Sequence, residues 1–380
     1  MKKKICFIVA LAGTANSFLR DHIEALSRYY DVYLVGNIKD ASEVSNLKIA
    51  GFKSINIVRN ISIINDLKAL LALKKYFNQM NFSAVHSVTP KAGLLTAIAG
   101  LLARIPIRIH IFTGQVWATR KGFFRMLLKS MDSLIAFLDT NILVDGKSQM
   151  KFLMDNGVIK RGKARVLAEG SICGVNTERF NPTKEIRLAY RKEIGVSDEN
   201  VVFAFMGRIN KEKGAYELLS AFNKLAVTCQ DVYLLLIGYD ESGLQSHFSD
   251  YPNIRPNENF LFYGSTKRPY EILQAGDVFV LPTYREGFGA SVIEASCLGL
   301  PVITTDAYGV LDANVSGVTG LQCKVADVDS LFVAMKQLAE DKDLRLKLGA
   351  NGRKRVLDHF SSDVVTSAWV DYYQSLVTVL

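Results

Sequence analysis

The 380-residue sequence lacks several features that mark common classes of protein. Its five cysteines form no Cys-x-x-Cys pair and no other metal-ligand spacing, so we interpret them as reduced thiols in a protein core. The longest nearly uninterrupted apolar run, residues 94–103, is well short of the ~20 residues that a membrane-spanning helix needs. We therefore expect no structural disulfide, no metal centre and no transmembrane segment.

The loop after the first apolar segment, residues 10–15, lacks a Gly-x-Gly-x-x-Gly pattern, which disfavours an NAD-dependent dehydrogenase. No low-complexity segment and no short repeat is visible. The basic start at residues 2–4 followed by an apolar stretch is also compatible with a secretory signal. A buried first strand is the favoured interpretation, because a helix-like stretch and a second apolar segment follow in a βαβ rhythm.

Positive charge is concentrated in the N-terminal half. Residues 1–180 contain 26 Lys and Arg against 12 Asp and Glu, whereas the remainder contains 20 basic and 25 acidic residues. This asymmetry indicates an anionic partner for the first half, either an acidic membrane surface or a nucleic acid. No recognisable DNA- or RNA-binding motif accompanies the charge, so we expect no nucleic-acid partner.

Strand-like and helix-like segments alternate along the whole chain in two series. The predicted strands are 5–10, 32–36, 54–57, 84–88, 107–112 and 140–144, then 201–206, 232–238, 260–262, 278–281, 301–304 and 320–323. This order predicts an α/β protein with two doubly wound parallel sheets. Gly170, Gly174 and Pro182 interrupt regular structure near a seam, which places the domains at 1–175 and 176–360. A last helix, 361–380, is expected to pack back on the first domain.

The segment 282–295 is the most informative for chemistry. A predicted strand ends before it, Gly287 and Gly289 follow, and a helix is expected to begin at about Ala290. Glycines let the backbone approach a ligand closely, and the amides at a helix N-terminus favour a phosphate. Glu286 precedes this helix and Glu294 lies about one turn inside it, so the two carboxylates can serve different parts of one extended ligand.

A second segment follows the strand 201–206. Gly207 permits a tight turn, Arg208 offers a guanidinium fork for phosphate, and Lys213 adds a second positive charge one loop later. Two cations beside a diphosphate stabilise it as a leaving group.

In this order and spacing, the motifs between residues 166 and 320 resemble the C-terminal domain of retaining GT-B glycosyltransferases, the large group that includes sucrose synthases and bacterial surface-polysaccharide transferases. The resemblance rests on Gly207-Arg208, Lys213-Gly214, the two glutamates with seven residues between them, and the segments 299–303 and 317–320. It also covers 170–180, where Asn176 stands in place of the family's usual aspartate. The resemblance implies a GT-B fold, in which two Rossmann-like domains face each other across a cleft.

The resemblance also implies roles for individual residues. Gly207, Arg208 and Lys213 hold the donor diphosphate, Glu286 is the catalytic contact to the donor sugar, and Glu294 accepts hydrogen bonds from the ribose. The backbone amides that cap the distal phosphate are those of Gly287, Phe288, Gly289 and Ala290. No metal and no other cofactor is expected, because arginine, lysine and helix amides supply the electrostatic stabilisation that Mg²⁺ provides elsewhere.

The N-terminal half matches the family more loosely. Gly13 and Thr14 correspond to a small-residue loop near the acceptor and the donor phosphate. Thr113 stands where many members have a histidine, so His86, or His110, is the substitute candidate for a catalytic histidine.

The segment 112–131 mixes aromatic and basic side chains in a way that is typical of a membrane interface. The proposed membrane patch consists of Trp117, Arg120, Lys121, Phe123, Phe124 and Arg125. The alternative interpretation of its aromatic residues is that they belong to a core.

The resemblance implies a retaining transferase that moves a hexose or N-acetylhexosamine from a nucleotide-sugar, with UDP as the expected nucleotide. The expected acceptor is a glycan on polyprenyl diphosphate, in the assembly of O-antigen, capsule or exopolysaccharide. The protein is expected in the cytoplasm, peripherally bound to the inner face of the cell membrane. Two alternatives remain open, a non-hydrolysing nucleotide-sugar epimerase and a non-catalytic subunit of a polysaccharide assembly complex.

Overall fold

The computed structural model describes residues 2–58 and 62–377, and the chain divides into two compact units. Unit 1 combines Met1–Cys173 with Ser362–Leu380, and unit 2 is Gly174–Ser361. The sequence-based boundaries, 175/176 and 360/361, lie within two residues of these divisions. Residues 378–380 of the predicted last helix lie outside the described part of the chain.

Unit 1 alternates strands and helices along most of its length. Its strands are β1 (Lys4–Leu11), β2 (Asp31–Asn37), β3 (Gly51–Ser54), β4 (Ala84–Val88), β5 (Ile107–Phe112), β6 (Asn141–Val144) and β7 (Ala164–Arg165). Its helices are α1 (Ala12–Thr14), α2 (Arg20–Leu26), α3 (Ile63–Met80), α4 (Pro90–Leu102), α5 (Gly122–Leu138), α6 (Lys147–Asp155) and, at the end of the chain, α14 (Ser362–Val377).

The seven strands of unit 1 form one parallel sheet in the order β3-β2-β1-β4-β5-β6-β7. One face of the sheet is covered by α2 and α14, and Trp369 and Tyr373 of α14 are fully buried there. The other face is covered by α3 and α4 and, beyond them, by α5 and α6. The last helix therefore belongs to the core of unit 1, because its apolar side chains are buried against β1 and β4.

Unit 2 repeats the same architecture. Its strands are β8 (Val201–Met206), β9 (Val232–Ile237), β10 (Phe260–Gly264), β11 (Val278–Leu281), β12 (Val302–Thr305) and β13 (Gly320–Cys323). Its helices are α7 (Lys184–Glu193), α8 (Ala215–Thr228), α9 (Pro269–Ile272), α10 (Ala290–Cys297), α11 (Val310–Ala313), α12 (Val328–Glu340) and α13 (Lys342–His359). The parallel sheet has the order β10-β9-β8-β11-β12-β13.

The prediction of two doubly wound parallel sheets is confirmed, with one strand wrongly placed. The sequence predicts the third strand at residues 54–57, which include Ile55 and Ile57. Both isoleucines are buried, but the ladder with β2 is formed by the preceding residues, Gly51–Ser54. The observed strand, β3, lies at the edge of the sheet. The residues that pair with β2 there are not the isoleucines that are buried beneath a helix. The two-residue β7 was not predicted.

Candidate active site

A cavity of about 420 Å³ opens at the carboxyl edge of the sheet of unit 2. In this sheet β8 and β11 are neighbours, but the chain leaves β8 towards β9 on one side and β11 towards β12 on the other. Open α/β sheets bind ligands at such a switch point, because the diverging connections leave a crevice there. Arg208, Lys213, Ser291 and Glu294 line the cavity, together with residues at the ends of β8, β9 and β10.

The loop after β8 lies in close contact with the loop after β11. The side chain of Asn210 accepts a hydrogen bond from the amide of Lys213 (3.0 Å), which caps a short 3₁₀ turn. Gly214 follows with φ +72°, and a Cβ at this position would lie 1.9 Å from the carbonyl oxygen of Pro282. Only glycine fits such a contact, so the position of Lys213 depends on the close approach of the two loops.

Glu212 connects the same two loops. Its carbonyl oxygen accepts a hydrogen bond from the amide of Tyr284 (2.9 Å), and its carboxylate pairs with Arg285 (2.6 Å). These contacts fix the backbone immediately before Glu286. The carboxylate of Glu286, 13% exposed, forms an ion pair with Lys213, 21% exposed. The carboxylate of Glu286 is therefore held against Lys213, which lines the cavity.

Helix α10 begins where the sequence predicted it. Gly289 has φ +95°, and the helix runs from Ala290 to Cys297, so the amides of its first turn have no earlier helical carbonyl to bind. Ser291 and Glu294 are three residues apart and both line the cavity. The ring of Phe288 is buried against Phe360, so only its backbone can serve a ligand.

Glu294 is a half-buried carboxylate that lines the cavity. Burial raises its pKa to about 7, and the positive charge of Arg179 opposes that rise. The guanidinium of Arg179 itself lies over the ring of Tyr270, 4.8 Å from its centroid. Glu294 can thus accept hydrogen bonds from ligand hydroxyl groups at the cavity wall.

Arg208 is the most exposed charged residue of the set, with 56% of its side chain accessible. Its Nη1 lies 3.1 Å from Oε2 and 3.2 Å from Oε1 of Glu241, which sequence analysis did not identify. The same Oε2 accepts a hydrogen bond from Nδ2 of Asn210 (2.5 Å). An N-cap preference could have revealed Asn210, but no local sequence pattern marks Glu241.

The expected acceptor-side residues of unit 1 lie at the carboxyl edge of its own sheet. Gly13 and Thr14 form the first helical turn after β1, and Thr113 follows β5, with β4 between these two strands. Gly13 is exposed, and Thr14 and Thr113 are half-buried. Their positions are thus compatible with ligand contact.

The prediction that His86 is catalytic is wrong. The side chain is 1% exposed, its Nδ1 is 2.8 Å from the hydroxyl of Tyr373, and its ring stacks on Trp369. His86 lies within β4, on the face that α14 covers, so a substrate has no access to it. His110 is also 1% exposed and contacts the hydroxyl of Ser87 (2.8 Å). Burial lowers the pKa of His86 well below its usual value and that of His110 to about 3.

Two residues of the expected membrane patch, Trp117 and Arg125, make contacts with other residues of unit 1. Trp117 is 1% exposed and donates a hydrogen bond from Nε1 to Asp132 (2.7 Å), so its assignment to the patch is wrong. Burial raises the pKa of Asp132 to about 7. The guanidinium of Arg125 lies over the Trp117 ring and bonds Ala118 and Asn156, so it is not a free surface charge. The Trp117 side chain therefore lies between α5 and α6.

The other members of that patch are at the surface. Phe123 and Phe124 are 66% and 63% exposed, and Arg120 and Lys121 are exposed as well. Sequence analysis missed that the apolar surface continues along α5. An exposed stripe follows one helix face and consists of Phe123, Met126, Leu134 and Phe137.

Among residues 2–58 and 62–377, no group of three or more His, Cys, Asp or Glu side chains is arranged to hold a metal ion. The sequence does contain two Asp-x-Asp spacings, 327–329 and 341–343. Asp327 and Asp341 each cap a helix, α12 and α13, by accepting a backbone amide. In the same described part of the chain, no helix is both long and apolar enough to cross a membrane.

Together, the two parallel-sheet units and the switch-point cavity define a protein with the GT-B fold of glycosyltransferases. The sequence profile of the family "Glycosyl transferases group 1" matches residues 187–355. The capsular polysaccharide biosynthesis glycosyltransferase CapM of Staphylococcus aureus is 32% identical over 99% of this chain and 98% of its own length. The chain belongs to the family of glycosyl transferases group 1.

More distant relatives extend over most of the chain too. The UDP-Gal:alpha-D-GlcNAc-diphosphoundecaprenol alpha-1,3-galactosyltransferase of Escherichia coli is 24% identical over 92% of this chain and 90% of its own. Among solved structures, Anabaena HepE in complex with UDP and glucose superimposes with a TM-score of 0.81 at 16% identity, covering 98% of this chain and 100% of that one. Sucrose-phosphate synthase from Thermosynechococcus elongatus gives a TM-score of 0.82 at 19% identity, with full coverage of both chains. These two likenesses confirm the predicted fold.

Proposed function

We propose that this glycosyltransferase moves a hexose or N-acetylhexosamine from a UDP-sugar to a glycan carried on polyprenyl diphosphate, with retention of the anomeric configuration. The observation that carries the proposal is that Arg208, Lys213 and Glu294 line one cavity of unit 2 together with Ser291 in the first turn of α10, while Glu286 forms an ion pair with Lys213. Two cations and a helix N-terminus suit a diphosphate, and a carboxylate on each side suits sugar hydroxyl groups.

In the proposed mechanism the side chains act on different parts of the donor. Arg208 and Lys213 bind the diphosphate and stabilise the negative charge that develops as it leaves. Glu286 contacts the donor sugar beside its anomeric carbon, and Glu294 accepts hydrogen bonds from the ribose. The amides from Gly287 to Ala290 cap the distal phosphate. The scheme contains no metal, and Arg208, Lys213 and the helix amides take the electrostatic role that a metal ion has elsewhere.

The proposed acceptor and pathway rest on the relatives and on the surface of unit 1. The names of the S. aureus and E. coli relatives refer to capsular polysaccharide and to a diphosphoundecaprenol acceptor. A capsule, O-antigen or exopolysaccharide assembly step is the corresponding proposal for this chain. Gly13, Thr14 and Thr113 are the proposed acceptor-side contacts.

We further propose that the protein binds the inner face of the cell membrane through α5. The exposed stripe supplies apolar side chains, Lys121 lies beside it, and the surrounding half of the chain is strongly basic. Phe137→Glu is expected to reduce binding to vesicles that contain anionic phospholipid, measured by flotation. Leu346→Glu is the matched control, because Leu346 is a similarly exposed apolar residue of unit 2 (62% against 80%). Equal binding by both variants and the unaltered protein would contradict the α5 contact.

The donor class is tested by a thermal-shift and product screen against UDP-, GDP-, ADP- and dTDP-sugars with a polyprenyl-diphosphate glycan acceptor. We expect stabilisation by the UDP-sugar, its loss in Arg208→Ala, and a product whose new linkage keeps the donor's anomeric configuration by NMR. Free epimerised sugar in the absence of acceptor would instead identify an epimerase. Binding without turnover of any sugar would support a non-catalytic subunit.

A further inference from the structure

One carboxylate that contacts a cavity-lining residue is not used by the proposed mechanism. Glu241 lies in the loop after β9 and contacts Arg208 with both oxygens, at 3.1 and 3.2 Å from Nη1. Both contacts are made to one nitrogen, Nη1, of the guanidinium group. An anion that binds Arg208 through Nη1 therefore competes with Glu241 for the same N–H groups.

The position of Glu241 is fixed by backbone pairing between two loops. The amide of Ile209 donates to the carbonyl oxygen of Tyr239 (2.8 Å), and the amide of Glu241 donates to that of Ile209 (3.0 Å). These two bonds continue the β8–β9 pairing beyond the end of the sheet, so residues 208 and 241 are held side by side. These backbone hydrogen bonds hold the two loops that carry Arg208 and Glu241 against each other.

Asn210 adds a third constraint. Its Nδ2 donates to Oε2 of Glu241 (2.5 Å), while its Oδ1 accepts the amide of Lys213 (3.0 Å). The same buried side chain thus orients the carboxylate and caps the turn that carries the second cation. Both oxygens of Glu241 are directed at Arg208 or Asn210, which keeps the carboxylate from rotating into solvent.

Both cations that are assigned to the diphosphate already contact a carboxylate. Arg208 pairs with Glu241 and Lys213 pairs with Glu286, so two cations are neutralised by two carboxylates. Glu286 has a proposed role next to the donor sugar, whereas Glu241 has none, and neither is among the residues that line the cavity. A diphosphate that binds Arg208 through Nη1 displaces Glu241, and the free energy of the existing ion pair is then lost from its binding.

We propose that Glu241 competes with the donor diphosphate for Arg208 and thereby lowers the affinity of the site for nucleoside diphosphates. The inference rests on the proposed function, since it assigns Arg208 to the diphosphate. Its consequence for turnover is easier release of the nucleoside diphosphate product, because Glu241 returns to Arg208 as that product leaves. Without such a competing carboxylate, the enzyme would bind the nucleoside diphosphate product more tightly, and the product would inhibit it more strongly.

The test is the affinity of Glu241→Gln for UDP, measured by titration calorimetry at low and at moderate salt. The amide keeps the size of the side chain and removes its charge. We expect UDP to bind roughly two- to fivefold more tightly, a modest gain because both partners are half-exposed. The gain should shrink as salt screens the charges, and the inhibition constant of UDP in the transfer assay should fall in parallel.

Glu258→Gln is the matched control. Glu258 forms an exposed ion pair with Arg255 at 3.1 Å, and it precedes β10, at the end of the sheet opposite to the cavity. This variant changes the net charge of unit 2 by the same amount, so its UDP affinity should equal that of the unaltered protein. Equal tightening in both variants would assign the effect to net charge and overturn the proposal.

Arg208→Ala separates competition from a positioning role. If Glu241 competes for Arg208, then Glu241→Gln has no effect on UDP affinity once Arg208 is absent. If Glu241 instead holds Arg208 ready for the diphosphate, Glu241→Gln weakens UDP binding, which overturns the proposal. Unchanged UDP affinity in Glu241→Gln also overturns it, without touching the proposed function. Failure of the unaltered protein to bind UDP, GDP, ADP or inorganic pyrophosphate would contradict the proposed function and this inference with it.

Discussion

The two units share one architecture but differ in how far their functional residues can be identified from sequence. In unit 2, glycines and charged residues follow strand ends, and the structure brings Arg208, Lys213 and Glu294 to one cavity, with Glu286 paired to Lys213. In unit 1, His86 was inferred from its position near a strand end and is instead buried beneath α14. Turns and helix starts can be recognised from neighbouring residues in the sequence. The helix that covers a strand face cannot, because it can come from a distant part of the chain.

The strongest test of the donor side of this comparison is Glu286→Gln. The variant keeps the volume of the side chain and removes the charge proposed to act beside the reacting carbon. We expect kcat to fall by at least about 10²-fold, because the interaction is made mainly in the transition state. The melting temperature should change little. Glu258→Gln is the control for a carboxylate lost elsewhere in unit 2, and near-normal turnover by Glu286→Gln would remove Glu286 from the mechanism.

The close approach of the two donor-site loops is tested by Gly214→Ala. A Cβ would meet the carbonyl oxygen of Pro282 at 1.9 Å, and the backbone is left-handed. We expect the free energy of unfolding to fall by about 2–4 kcal/mol, measured by urea denaturation. Donor affinity should fall as well, because Lys213 shifts with the loop.

Gly195→Ala is the matched control for that test. Gly195 has nearly the same φ, +74° against +72°, but nothing lies within 4 Å of the added Cβ. Its cost should be about 1 kcal/mol, the backbone strain alone, without an effect on donor binding. Equal costs for the two variants would show that the contact with Pro282 relaxes freely and does not position Lys213.

The fold and the donor site were predictable for a physical reason. Each parallel strand of unit 2 is a short apolar run, and the residues that follow it meet at one sheet edge whatever the rest of the chain does. The start of α10 at Ala290 was predictable because Gly289 and the preceding strand mark it locally. The strand order itself was not predictable, since it depends on which distant runs pair.

The assignments of His86 and Trp117 failed because they needed that missing information. The residues around β4 do not reveal that Trp369 and Tyr373 from the end of the chain contact His86. Trp117 was grouped with the aromatic and basic residues around it, and no local pattern marks Asp132, 15 residues later, as its hydrogen-bond partner. Glu241 was missed for the same reason: its contact with Arg208 joins the ends of two separate strands.

The unit 1 side of the comparison is tested by His86→Leu. The change leaves the buried hydroxyl of Tyr373 without its partner, which should lower the free energy of unfolding by about 1–3 kcal/mol. Tyr373→Phe in the same chain should recover part of this loss, because both polar partners are then absent. The folded variant should keep its kcat/KM. A rate loss of tenfold or more with undiminished stability would restore a catalytic role for His86.

The smallest expected effect concerns Glu294 and pH. Burial raises its pKa to about 7 in the folded protein, above the value of 4.5 for an ordinary glutamate. Between these two values the folded state binds more protons than the unfolded state, so the free energy of unfolding falls as pH rises from about 4.5 to 7. Glu294→Gln removes this contribution, and its melting temperature should therefore decline less over that range. Glu258→Gln, which alters an exposed carboxylate, should follow the unaltered protein. If Glu294→Gln instead shows the same pH dependence, the cavity wall around Glu294 is hydrated well enough to keep the carboxylate charged, and its hydrogen bonds to a ribose would then be made at little cost in desolvation.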